Sequence, residues 1–249
     1  ESNQSIYVIK VYTNDSLHIG YNDLYYAIEK ISNGKHVKDF NISEVTPIMT
    51  MGSMNNMQHS TPIGNIEKIE GVPVYHSWIS FLMSTNTGSN NTWNLSFNYQ
   101  IRDSVGTIGN KPLYVKALSS GLSNLKSFKY NGNTYFLSLV NPNNFVTGVN
   151  TIKAYISKKS SVITTPYALA SEQFIVAITP TMPDMGNHTS PNNEALTLNT
   201  DSTYTGKINL TMTGVWNIHL VVKTPDGTVI AGGDNDDSGY SNLYWTVNI

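Results

Sequence analysis

The chain has 249 residues, a net charge of −2, 39% hydrophobic and 10% aromatic residues, enough for one large domain or two of about 125 residues each. Charged residues make up only 13%, about half the usual ~25%, and polar Asn, Ser, Thr and Tyr take their place, a composition common in secreted and periplasmic β proteins. The lack of a basic stripe argues against a nucleic-acid partner, and zero cysteines exclude disulfides, Cys zinc sites and Cys nucleophiles; no apolar run approaches the ~18 residues that span a bilayer.

In chain order, the first clear element follows Gly20, where Asn22, Leu24, Tyr26 and Ile28 alternate with Asp23, Tyr25 and Ala27. Residues 49–59 then hold Met49, Met51, Met54, Met57 and His59, with Pro62 three residues on. Tyr75, Ser77, Ile79, Phe81 and Met83 alternate next, and a Ser/Asn-rich hairpin at 84–92 leads to Trp93, Leu95, Phe97 and Tyr99. A Ser/Gly-rich stretch at 119–126 reads as a join. Beyond it the same series returns: Asn150, Ile152, Ala154 and Ile156; Met182, Met185 and His188 with Pro191; Tyr204, Gly206, Ile208, Leu210 and Met212; then Trp216, Ile218, Leu220 and Val222. Period two with one apolar face is the strand signature. No long stretch reads as an amphipathic helix.

The chain is therefore a tandem repeat. Tyr7 and Tyr135 lie 128 positions apart, as do Gly20 and Gly148. Met49 and Met182 lie 133 apart, His59 and His188 lie 129 apart, and Trp93 and Trp216 lie 123 apart. The landmarks keep their order, and the offset drifts where loop lengths differ. The expected architecture is all-β: two tandem immunoglobulin-like β-sandwich domains, residues 1–122 and 126–249, each with around seven short strands.

Thioether sulfur is a soft ligand and imidazole a borderline one, so a Met/His cluster suits copper. The candidate metal residues are His59 and His188, then Met51, Met54, Met57, Met182 and Met185. The competing reading is packing, because Met is also a flexible gap-filler and a duplication copies structural loops as readily as ligands. Met83 and Met212 fall in phase with strand cores and read as packing. His219 falls on the polar face of its strand, matches Ser96, and reads as solvent-exposed; His76 is likewise out of phase with the core, and His18 and His36 sit near turns with no obvious partner.

Gly148-Val-Asn150, Met182-Pro-Asp-Met185 with His188, Tyr204, and Met212-Thr-Gly-Val-Trp216-Asn-Ile218 together resemble the YtkA-like family, related in pattern to FixH-type proteins. In the first repeat Met-Pro-x-Met becomes Met51-Gly-Ser-Met54, and the Gly-x-Trp hairpin is expanded. The resemblance implies an Ig-like sandwich exported across or tethered to a membrane, with a copper-binding role suspected and no enzymatic activity.

Residues 234–239 mimic half of an EF-hand loop, but Trp245 stands where a bidentate Glu is needed, so a polar turn is expected. No nucleophile elbow or phosphate loop is present, and no carboxylate pair can be nominated. The start at Glu1 without a leader reads as a processed or trimmed form, and a lost N-terminal lipid is compatible with it. The leading expectation is a non-catalytic, extracytoplasmic, monomeric copper-binding protein of the cell envelope: a chaperone, store or assembly factor with an envelope protein as partner. The alternative is a metal-free Ig-like interaction or adhesion module in which the Met/His loops are structural.

Overall fold

The computed structural model describes residues 6–236 and 239–249. Strands alone make up the regular structure apart from four single-turn 3-10 helices among the described residues. The chain divides into two compact units: residues 1–18, 22–117 and 160–166 in one, and residues 19–21, 118–159 and 167–249 in the other.

The first unit holds β1 (Tyr7–Tyr12), β2 (Gly20–Lys30, whose first two residues fall in the other unit), β3 (Phe40–Met51), β4 (Met57–His59), β5 (Glu67–Lys68), β6 (Tyr75–Phe81), β7 (Asn91–Ile101) and β8 (Ser104–Leu113). They form two four-stranded sheets, β1-β2-β6-β5 and β4-β3-β7-β8. This is the immunoglobulin strand order, ABED against CFG, with one short strand added at the edge beside β3. Leu24, Tyr26 and Ile28 from β2 and Ile79 and Phe81 from β6 meet Ile42, Met49, Trp93, Leu95 and Phe97 in one core. The apolar phase of each strand is the one the sequence alternation gives, because period two puts alternate residues on one face.

The second unit repeats the plan with β9 (Leu125–Tyr130), β10 (Asn133–Leu139), β11 (Gly148–Lys158), β12 (Ile175–Met182), β13 (His188–Thr189), β14 (Glu194–Leu198), β15 (Tyr204–Leu210), β16 (Val215–Lys223), β17 (Val229–Ala231) and β18 (Tyr244–Asn248). Here β14 pairs with both β12 and β15, so the strands join in one ten-stranded sheet. Trp216, Ile218, Leu220 and Trp245 pack against Ile152, Ile156, Val176, Ile208 and Leu210 in its core.

The duplication extends to register and hydrogen bonds. Tyr7 pairs with Lys30 and Tyr135 with Lys158, the same pairing 128 residues on. Asn22 closes the turn before β2, accepting from the His18 N–H and donating to its carbonyl; Asn150 does the same with Val146 before β11. Both turns pass through a glycine with positive φ, Gly20 at 89° and Gly148 at 101°, a region that a side chain makes costly. The Tyr75 hydroxyl donates to the Phe40 carbonyl at 3.0 Å, and the Tyr204 hydroxyl to the Glu172 carbonyl at 3.1 Å. Trp93 Nε1 donates to the Met83 carbonyl and Trp216 Nε1 to the Met212 carbonyl, although the intervening loop is ten positions in one repeat and four in the other. The longer loop is taken up by a 3-10 turn at Thr87–Ser89, so the tryptophan keeps its seat.

Candidate functional site

Both Met/His segments form the hairpin that leaves the centre of the sandwich. In the first unit β3 ends at Met51, a 3-10 turn spans Gly52–Met54, Asn55 and Asn56 adopt positive φ, and β4 returns. Met49 lies opposite His59 and Met51 opposite Met57. Residues directly opposite in an antiparallel pair share a face, with Cβ atoms ~4.5–5.5 Å apart, so these four side chains lie on one face. Met49 is wholly buried and lies opposite Trp93 on the neighbouring strand. His59 is half-buried, meets the Trp93 ring edge-on at 5.6 Å, and its Nδ1 donates to the Ser60 carbonyl at 3.0 Å. In the neutral ring that bond makes Nδ1 the protonated nitrogen and Nε2 the acceptor. Met51 is half-buried against the core, while Met54 and Met57 are 49% and 48% exposed.

In the second unit β12 ends at Met182, the 3-10 turn spans Pro183–Met185, and His188 opens β13 directly opposite Met182. Met182 is buried in the core, its methyl so close to Gly214 that an added Cβ there would stand 3.0 Å from it. Met185 is 57% exposed and His188 is also exposed.

The two hairpins differ by one insertion. Relative to the tryptophan strand, the Met49 and His59 pair corresponds to the Met182 and His188 pair, since Thr181 faces Asn217 and the next step reaches Trp216. The turns also correspond, Gly52–Met54 with Pro183–Met185. Between pair and turn the first unit has Thr50 and Met51 on one strand and Met57 and Gln58 on the other. This extension accounts for the offset falling from 133 at Met49 to 129 at His59. The extra methionines of the first cluster are therefore its inserted rung.

A fit to copper differs between the hairpins. In the first, Met51, Met57 and His59 supply two thioethers and an imidazole on one face, a donor set suited to a soft ion. In the second, Met182 is committed to the core, and the rung that would carry a further sulfur is missing. Among the described residues, no three His, Asp or Glu side chains are placed to hold a metal ion.

His219 corrects the sequence expectation of an exposed side chain. It is 3% exposed, with Nδ1 donating to the Ser241 carbonyl at 2.6 Å and Nε2 accepting from the Thr181 hydroxyl at 3.0 Å. Its ring lies 5.1 Å from Tyr240 and 5.3 Å from Tyr244. The alternation gave its face correctly, but the connection from β17 to β18 folds over that face. Of the EF-hand-like stretch, Asp237 and Ser238 lie outside the described residues; the Gly239 N–H donates to the Asp236 carbonyl. His76 has a partner that the sequence did not indicate, Asp23 at 2.8 Å.

One carboxylate is strongly perturbed. Burial alone would raise the pKa of Glu172, but Lys158 and the Tyr135 hydroxyl, each 2.7 Å away, outweigh it and hold the group at about 2. Burial pushes the Tyr204 phenol up to about 12. Both groups join strands of the second unit and sit apart from the hairpin turn.

No family model matches the chain, and no curated protein matches it. Among solved structures it is similar to the Escherichia coli adhesin FdeC, at 10% identity and a TM-score of 0.27, over 96% of this chain and 63% of that one. It is similar also to the Yersinia pseudotuberculosis adhesin InvE, at 9% identity and a TM-score of 0.27, over 97% of this chain and 59% of that one. The chain thus spans about three fifths of the length of each.

Proposed function

We propose that the chain is a non-catalytic, extracytoplasmic interaction module built from paired Ig-like sandwiches, with its Met/His hairpins serving the fold. The observation that carries this reading is the matched pair beside each tryptophan: Met49 with His59, and Met182 with His188. In both units the thioether of that pair is core, and burying such a side chain stabilises by roughly 1.5–3 kcal/mol. A sulfur sealed in the core has no open side for a metal. The exposed Met54, Met57 and Met185 at the hairpin tips are adaptable apolar contact groups of the sort found at docking surfaces. Competition of the full chain with a chromophoric chelator for Cu(I) tests the reading. No copper should transfer at micromolar concentration, and Met57→Leu with His59→Ala should change nothing. Stoichiometric transfer that this double variant abolishes would overturn it.

That outcome would instead support the second reading, a copper site confined to the first hairpin. What favours it is the single face shared by Met51, Met57 and His59. On this reading the second unit binds no copper.

A further inference from the structure

The second unit carries a polar cleft of about 470 Å³, within the ~300–1,000 Å³ of ordinary ligand pockets. Its floor is the solvent-facing side of β11, where Thr151, Lys153 and Tyr155 alternate with the core residues Ile152, Ala154 and Ile156. One wall is the 3-10 turn at Pro142–Asn144, and the other is the turn before β15 that contains Asp201.

We infer that this cleft is a binding site for one neutral sugar residue of a surface glycan. The inference deepens the interaction-module reading and rests on it. Sugar hydroxyls donate and accept at once, so they suit a carboxylate, an ammonium and an amide placed side by side. Asp201 offers the acceptor. Its Oδ1 is fixed by the Thr203 N–H at 3.0 Å and hydroxyl at 2.6 Å, so the carboxylate of this exposed residue is held in place. Among the described residues, neither the Lys153 ammonium nor the Asn144 side-chain amide has a hydrogen-bond partner, and both line the cleft. Tyr155 supplies an aromatic wall, its ring stacked on Tyr21 at 6.0 Å and 8° between planes, which fixes its orientation. Rigid aromatic faces are where the C–H side of a sugar ring packs. One carboxylate and one ammonium leave the cleft near neutral, which disfavours charged ligands, and its mostly polar lining disfavours an apolar peptide segment.

The first unit fills the matching positions of this face with internal partners. The positions matching Thr151 and Lys153 are Asp23 and Tyr25. There Asp23 accepts from His76 at 2.8 Å and from Asn14 at 3.2 Å, and Tyr25 packs on His76 at 5.1 Å. At the two matching positions of the second unit, Thr151 and Lys153 are exposed.

The test is an amide chemical-shift titration of the full chain with D-glucose, D-galactose and N-acetyl-D-glucosamine, and with N-acetylneuraminic acid as the charged comparison. At least one neutral sugar should shift the amides of Asn144, Thr151, Lys153 and Asp201 saturably at millimolar concentration. Asp201→Ala and Lys153→Ala should each weaken that binding about tenfold, the loss of roughly one charge-assisted hydrogen bond, while Lys129→Ala, on an exposed position of β9, should leave it unchanged. Absence of shifts with every neutral sugar, shifts spread outside these residues, or binding that survives both cleft substitutions would overturn the proposal. The copper competition reads the first unit, so failure of the module reading is seen separately from failure of this site.

Discussion

Met182→Ala separates a packing methionine from a ligand. The side chain is 5% exposed and shares a core with Trp216, and its methyl lies 3.0 Å from where a Cβ on Gly214 would stand. Truncation removes the thioether and leaves a void bounded by the tryptophan and the Gly214 backbone. Buried Met→Ala changes cost ~2–5 kcal/mol, depending on how far the site collapses. Because Met182 ends its strand at a turn, some collapse is available, which gives about 3 kcal/mol. On a unit of this size that lowers the melting temperature by roughly 10 °C. Met182→Leu keeps the volume and should cost under ~1.5 kcal/mol. The assay is thermal and urea unfolding of the full chain with a copper chelator present, the transition of each unit fitted by itself because a single two-state fit fails for two domains. An Ala cost below about 1 kcal/mol in metal-free buffer would refute the packing argument.

Three further outcomes follow from the same geometry. The Glu172 carboxyl is depressed from 4.5 to about 2, so its contribution is complete above its unfolded pKa and is lost as pH falls from there toward 2. With partial exposure that contribution is about 2 kcal/mol, so Glu172→Gln should flatten the acid limb of the second unit's stability curve between about pH 5 and 2, read by urea unfolding at a series of pH values. His219→Leu leaves the Ser241 carbonyl and Thr181 hydroxyl buried without their partner and should destabilise the second unit by roughly 2–3 kcal/mol, measured by calorimetry. Tyr75→Phe and Tyr204→Phe each remove one hydroxyl-to-carbonyl bond at the same place in the two repeats. Each should cost about 1 kcal/mol in its own unit, and unequal costs would show that the repeats use the tyrosine differently.

The alternation of Leu24, Tyr26 and Ile28, and of Trp216, Ile218 and Leu220, was enough to read the strands and their inward faces, because burial on one face imposes period two. The offset of 128 between the repeats reappears as a shared register. Pattern does not reveal what covers an outward face. His219 is buried by the segment leading into β18, and no local signal marks that. The short strand β9 begins at the last two residues of the Ser/Gly-rich join and runs on to Tyr130, and edge pairing to β10 needs little hydrophobic alternation. The Met/His clusters were found, but composition could not divide them. Whether a methionine is core or tip depends on its rung in the hairpin, and the inserted Thr50-Met51 and Met57-Gln58 rungs appear only once the cross-strand pairing is known. The polar cleft on β11 draws on residues from three separate turns and strands, with no motif to join them in sequence.

The central claim, that these hairpins serve the fold rather than copper, is tested most directly by the melting curve of the wild-type chain with and without Cu(I). A site held by the folded hairpin stabilises by RT ln(1 + [L]/Kd), about 2.7 kcal/mol at a hundredfold excess over Kd. The account predicts that the curves with copper and with chelator superimpose for both units. A copper-dependent rise in the first unit's transition that disappears in Met57→Leu with His59→Ala would contradict it.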